Sequence, residues 1–96
     1  MHRRFLVVAF ASVVPACAAL PEPPPAGAAA CSGCHAASAK VDTPVPRIAG
    51  ADAAAIVKAM QEFRAGQRPA TVMDRIAKGF TDEEVQAIAK WYSAQK

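Results

Sequence analysis

The sequence predicts a small all-α domain, and three observations carry this prediction. Apolar side chains recur three and four residues apart in two stretches, about residues 51–65 and 82–95, which is the spacing of one helix face. Thr81 and Glu84 form a capping-box pattern at the start of the second stretch. No stretch alternates apolar and polar residues as a half-buried strand does. Packed helix faces are therefore expected to form the core.

Three main helices are expected. The first spans about residues 28–39 and is rich in alanine. The second covers about residues 51–65 and ends before Gly66, a residue typical of helix C-termini. The apolar stripe of this second helix consists of Ala53, Ile56, Val57, Met60 and Phe63. That stripe is expected to face the protein interior.

The third main helix is expected over residues 82–95, after a short helical turn at about residues 74–80. Asp82 and Glu83 place negative charge at its positive N-terminal end. Its buried stripe is expected to consist of Val85, Ile88, Ala89 and Tyr92, with Trp91 beside it. The connecting segments "VDTPVPRIAG" and "GQRPAT" contain proline and glycine and are expected to be irregular.

The N-terminal residues have the order of a secretory signal peptide. Arg3 and Arg4 precede an apolar run over residues 5–14, and small residues follow at positions 16–18. The apolar run is too short for a membrane-spanning helix, which needs about 20 residues. We therefore expect residues 1–17 to be a signal peptide, cleaved before or just after Cys17, and the protein to be exported.

Cys17 has two interpretations, and the sequence leaves both open. "VVPAC" resembles a bacterial lipobox, in which the cysteine becomes the lipid-modified first residue of the mature chain. Alternatively, Ala16-Cys17-Ala18 is an ordinary cleavage site and the cysteine leaves with the signal. Residues 18–27 are rich in proline and suit a stiff linker to a domain over residues 28–96. Membrane contact is expected only through a lipid on Cys17.

The charge of the domain is mild. From Ala26 onward, nine Lys and Arg residues face seven Asp and Glu residues, and no basic run is interleaved with aromatic residues. Nucleic-acid binding is therefore not expected.

The motif "CSGCH" places Cys31, Cys34 and His35 within five positions. A domain of this size rarely draws more than ~3–5 kcal/mol of stability from its core, so a bound cofactor, a metal or a covalent cross-link is expected to stabilise it further.

Structural zinc needs four ligands, and no other Cys or His follows residue 17. A thioredoxin-type dithiol belongs in a strand-rich setting, which this sequence lacks. A plain Cys31–Cys34 disulfide stays open, although so short a loop would stabilise little.

Covalent haem accounts for all three residues, because C-x-x-C-H is the order of c-type haem attachment. The thiols of Cys31 and Cys34 would add to the haem vinyl groups, and His35 would be the proximal iron ligand. Export agrees with attachment outside the cytoplasm. We therefore expect one covalent haem c, with the helices wrapped around it.

A methionine opposite the histidine is a common second axial ligand, and two methionines are candidates. Met60 lies on the apolar stripe of the second helix, where a packing role explains it. Met73 is expected in a loop without a packing reason, and a loop can bring its sulfur to the iron. Met73 is therefore the expected axial ligand. With both axial positions filled, the expected function is electron transfer without a catalytic site.

Several segments together resemble a known family: "CSGCH", "PRIAG", "MQEFRAGQRPATVMDRIAKGF" and "TDEEVQAIAKWY". They resemble the class I monohaem cytochromes c, and more narrowly the cytochrome subunits of flavocytochrome c sulfide dehydrogenases. The similarity covers about residues 29–93, and the run from Phe63 to Gly79 is its most specific part.

This resemblance implies a periplasmic haem subunit that takes electrons from a flavoprotein oxidising sulfide. The electrons would pass to a soluble cytochrome or an oxidase. It also implies that the carbonyl of Pro46 accepts the other ring N–H of His35 and fixes its orientation. A stand-alone carrier to a terminal oxidase or reductase, with or without a lipid anchor, is the alternative.

Four cations flank Met73 in the sequence, namely Arg64, Arg68, Arg75 and Lys78. We expect them near the exposed haem edge, where they would steer an acidic partner or neutralise haem propionates. A merely solvated basic rim is the other interpretation.

Overall fold

The computed structural model describes residues 9–96 and contains four helices. They are α1 (Ala28–Ser32), α2 (Ala53–Arg64), α3 (Met73–Ala77) and α4 (Asp82–Ser93). The part of the chain that the structure describes contains no strand. The predicted all-α class is therefore confirmed.

The start of the predicted signal peptide, residues 1–8, lies outside the described residues. Residues 9–24 form no helix or strand and are exposed. No helix within residues 9–96 combines the length and the apolarity that crossing a bilayer requires.

Helix α2 begins and ends at local hydrogen-bonding signals. The side chain of Asp52 accepts the N–H of Ala55 at 3.0 Å, which caps the N-terminus. At the other end Gly66 has φ +71°. Its N–H donates to Phe63 O, and the N–H of Gln67 donates to Glu62 O, which is a Schellman motif. The predicted second helix is confirmed. It begins two residues later and ends one residue earlier than expected.

Helix α4 supplies most of the buried core. Thr81 and Glu84 make both hydrogen bonds of the capping box. The predicted stripe of Val85, Ile88, Ala89 and Tyr92 is buried. The helix ends at Ser93, two residues earlier than the sequence suggested.

Tyr92 joins α4 to the N-terminal part of the domain. Its side chain is 1% exposed, and its hydroxyl donates to the carbonyl of Ala28 at 2.5 Å. The carbonyl of Tyr92 accepts the N–H of Gly50 at 2.9 Å. Ala28, Ala49, Ile88 and Tyr92 form one core cluster, with Cys31 packed against it. The cysteine motif is thus attached directly to the core.

The proline-rich linker also contacts α4. The indole Nε1 of Trp91 donates to the carbonyl of Glu22 at 3.0 Å. The Trp91 ring packs edge-on against Tyr92, with ring centres 4.9 Å apart. Farther along, Gly27 adopts φ +86°, and a Cβ there would lie 2.7 Å from Phe80 Cε1. The linker therefore approaches the domain closely before α1 begins.

Two sequence-based boundaries are wrong. The first helix ends at Ser32, not near residue 39. Gly33 follows and disfavours continuation by about 1 kcal/mol relative to alanine, and its N–H donates to Ala30 O at 3.3 Å, a bond that tightens and closes the last turn. Met73, expected in a loop, is the first residue of α3. The carbonyl of Val72 accepts both Arg75 and Ile76, so the short helix begins one residue earlier.

The Tyr92 hydroxyl gives a pH-dependent prediction. Tyr92→Phe should lower the free energy of unfolding by about 1 kcal/mol at neutral pH, because Ala28 loses a buried donor. Burial raises the pKa of Tyr92 in the folded state. The stabilisation is therefore complete below the unfolded pKa of about 10 and is lost as the pH rises through the folded pKa. Denaturant unfolding at pH 7 and at several values above 10 measures both effects. Identical curves for the two proteins would contradict the prediction.

Candidate metal centre

The cysteine motif forms a continuous turn at the end of α1. The carbonyl of Cys31 accepts the N–H of Cys34 at 3.3 Å and that of His35 at 2.9 Å. Cys31 is half-buried against the core, whereas Cys34 is exposed. One helical turn therefore holds both thiols and the imidazole together.

The environments of the two motif cysteines differ. The Cys31 thiol donates to the carbonyl of Gly27 at a sulfur–oxygen distance of 3.7 Å. Burial raises the pKa of the Cys31 thiol above its ordinary value. All three cysteines, Cys17 included, are free thiols in the structure. The Cys31 sulfur is held inward, and that of Cys34 lies toward solvent.

His35 is oriented by a backbone carbonyl. Its Nδ1 lies 2.5 Å from Pro46 O. A carbonyl can only accept, so Nδ1 carries the proton and donates. Nε2 of the neutral ring is then the nitrogen with a free lone pair. The structure thus brings His35 and Pro46 together in the way that the resemblance implied.

Met73 lies on a different element from the CSGCH turn. It begins α3, and its side chain is half-buried. Met60 is also half-buried, on the apolar stripe of α2. The structure therefore gathers Cys31, Cys34, His35 and Pro46 at one turn and presents Met73 from a separate short helix.

Two of the four cations near Met73 are engaged within the domain. Arg68 pairs with Glu62 through Nη2 at 2.7 Å, and its guanidinium carbon lies 5.5 Å from the centre of the Phe63 ring. Lys58 also binds Glu62. The hydrogen bonds from Lys58 and then from Arg68 lower the pKa of the Glu62 carboxyl. Lys58 and Arg68 thus share one carboxylate.

Arg64 is the second engaged cation. Its Nη1 lies 2.6 Å from Asp82 Oδ1, and its Nη2 donates to Phe80 O at 2.8 Å. Within residues 9–96, Arg75 and Lys78 form no ion pair. Among the described residues, ion pairs thus engage two of the four cations of the expected basic rim, and the position of all four near a haem edge stays a prediction. No pattern in the sequence pointed to the role of Arg64, because its partners lie 13 to 18 residues away.

The residues present fit a covalent haem. Two thiols and a histidine with a free Nε2 supply the attachment and ligand chemistry. Apolar surface is also available: no α2 residue is fully buried. Val41, Val72 and Ile76 are 55%, 53% and 42% exposed. A large flat apolar group would cover surface of this kind.

A comparison with known proteins decides the family. Cytochrome c-554(548) of Halomonas halodenitrificans is 31% identical over 70 residues, which cover 69% of this chain and 84% of that protein. This chain belongs to the class I cytochromes c. The fold predicted for such a protein, three main helices and a short one around a haem, agrees with the four helices described above. No protein-family model matches the chain.

The cytochrome is also similar to two longer proteins. The cytochrome subunit of sulfide dehydrogenase from Chlorobaculum tepidum is 39% identical over 62 residues, 65% of this chain and 56% of that protein. The thiosulfate dehydrogenase electron acceptor of Stutzerimonas stutzeri is 41% identical over 64 residues, 65% of this chain and 30% of that protein. The chain thus spans about half or less of the length of these two curated relatives. The relatives support a c-type cytochrome that carries electrons for a redox partner.

Proposed function

We propose that this cytochrome is an exported, periplasmic electron carrier with one covalent haem c. Thioether bonds from Cys31 and Cys34 hold the haem, and His35 Nε2 and the Met73 sulfur ligate its iron. The contact between His35 Nδ1 and Pro46 O carries this proposal, because it leaves Nε2 as the ring nitrogen with a lone pair for a metal. The bound haem supplies a one-electron ferric–ferrous couple.

The chain's own groups set the properties of that couple. The Pro46 carbonyl accepts the hydrogen bond from the ring N–H of His35. This bond fixes the orientation of the imidazole and raises its basicity as a ligand. A methionine sulfur on the opposite side raises the reduction potential. With His35 and Met73 both as ligands, the iron would have no position left for a substrate, and the protein would transfer electrons without a catalytic site of its own.

The proposed electron donor is a flavoprotein that oxidises sulfide. The similarity to the Chlorobaculum tepidum cytochrome subunit supports this donor, as does the sequence run from Phe63 to Gly79. Arg75 and Lys78 are exposed and have no ion-pair partner among the described residues. They are available to meet an acidic surface on the donor or on a cytochrome or oxidase acceptor.

The donor is tested by reconstitution. We expect a flavoprotein to co-purify with this chain, and sulfide to reduce the haem only when that flavoprotein is present. The double variant Arg75→Glu, Lys78→Glu should slow this reduction and weaken its dependence on ionic strength. The matched control is the double variant Lys58→Glu, Arg68→Glu, which makes the same charge change at two cations that pair with Glu62. Haem that stays oxidised with sulfide and flavoprotein would contradict the proposed donor.

A stand-alone, lipid-anchored carrier is the second candidate, and the "VVPAC" sequence favours it. Mass spectrometry of the mature N-terminus distinguishes the two forms. A diacylated Cys17 and a membrane-bound haem, released by Cys17→Ser, support the anchor. A mature chain that begins after Cys17 excludes it. A protein without a narrow α-band after reduction would instead support the exported module with a Cys31–Cys34 disulfide.

A further inference from the structure

The short helix α3, which begins with Met73, has little local support. Five residues are too few for a helix that is stable alone. Its N-cap residue, Val72, provides no side-chain hydrogen bond. The preceding residues 65–72 are all exposed. The position of Met73 therefore depends on what holds the other end of α3.

Arg64 holds that other end. Its Nε lies 3.5 Å from the carbonyl of Ala77, the last residue of α3. The same guanidinium binds Phe80 O and the carboxylate of Asp82 at the start of α4. One side chain at the end of α2 thus connects α2 with the end of α3, the following turn and α4. Its charge strengthens each of these hydrogen bonds.

Geometry links this contact to Met73. Ala77 is fully buried and lies four residues beyond Met73, about 6 Å along the helix axis at the usual rise per residue. Because α3 contains only the five residues from Met73 to Ala77, a displacement of Ala77 is expected to displace Met73 as well.

We propose that Arg64 is a positioning residue for the axial methionine: its bonds to Ala77, Phe80 and Asp82 hold α3 so that the Met73 sulfur stays on the iron. This inference rests on the proposed ligation by Met73. It assigns to Arg64 an internal role that differs from partner recognition.

Competition by imidazole measures the strength of the methionine bond. Added imidazole displaces the sulfur from ferric iron, and the red charge-transfer band of the iron–sulfur bond reports the displacement. Arg64→Gln should raise the apparent affinity for imidazole about tenfold, because charge-assisted hydrogen bonds that hold α3 are lost. Arg64→Lys keeps the charge but not the fork geometry and should give a smaller increase. Arg68→Gln is the matched control and should leave the affinity unchanged.

A double-mutant cycle separates positioning from general destabilisation. In a Met73→Leu background imidazole displaces no sulfur, so Arg64→Gln should no longer change its affinity. Equal tenfold effects in both backgrounds, or none in the wild-type background, would overturn the role of Arg64. If Arg64→Gln does not accumulate with haem, Asp82→Asn serves as the variant. It should raise the affinity about two- to threefold, and an unchanged affinity would overturn the proposal.

Failure of the underlying function has a different signature. If the wild-type protein lacks the red band, Met73 is not the ligand, and the proposed ligand set fails whatever Arg64 does. If the band is present and Arg64 variants behave like wild type, only the positioning role fails.

Discussion

Replacing both Cys31 and Cys34 with alanine is expected to leave a chain that does not fold stably. The buried core of the described residues is small and consists of seven side chains, four of them alanines: Ala28, Ala49, Ala77, Val85, Ile88, Ala89 and Tyr92. A core of this size rarely supplies more than ~3–5 kcal/mol. Without the thioether bonds, no covalent link ties a haem to α1, and the apolar stripe of α2 has only partial cover.

Far-UV circular dichroism and limited proteolysis of the purified protein measure this effect. The double variant should lose most of its helical signal and its resistance to protease, and no haem should remain after denaturing electrophoresis. Cys17→Ala is the control with the same kind of substitution outside the motif, and it should keep both fold and haem. A cysteine-free domain as stable as the wild type would refute the haem-dependent fold.

Met73→Leu is expected to remove the proposed axial sulfur. It should change the spectrum and the reduction potential of the iron more than any other single substitution outside the CSGCH motif. The red charge-transfer band should disappear. The reduction potential should fall by more than about 60 mV, a tenfold change in the one-electron equilibrium constant, because the methionine ligand raises it. Imidazole should bind without having to displace a protein ligand.

The chain provides its own control in Met60. Both methionines are half-buried, but Met60 lies within the apolar stripe of α2. Met60→Leu conserves side-chain volume and should cost less than about 1.5 kcal/mol of stability. The red charge-transfer band and the reduction potential should stay unchanged. If Met60→Leu abolished the band and Met73→Leu did not, the two assignments would be reversed.

Periodic side chains made the long helices predictable. The stripe of α4 and its capping box depend on residues within one helix, so their spacing alone indicates the structure. Helix α2 follows from the same periodicity and from Gly66. The fold class and two of the four helices needed no information about distant contacts.

Other features depend on contacts that spacing does not encode. The segment after the first helix is held by Arg47, whose side chain donates to the carbonyl of Ala37, ten residues away. Trp91 meets Glu22 across 69 residues, and nothing in the linker composition indicates that contact. Arg64 could be read only as a surface cation, since its carbonyl acceptors are backbone groups that any residue carries. The resemblance to the family predicts the role of Pro46, whereas the chemistry of its side chain does not.

The hydrogen bond from Trp91 to Glu22 determines the reach of the protein if Cys17 carries a lipid. The linker would then be free only between Cys17 and Glu22, and five residues of extended chain span about 16 Å. The haem domain would diffuse within a thin layer at the membrane surface. A redox partner embedded in the same membrane would meet it at a high effective concentration. A partner that stays in solution would gain nothing from this confinement. Trp91→Phe would break this hydrogen bond and lengthen the tether. The effective concentration of the haem domain at a membrane partner would then fall, while the iron site stayed unchanged.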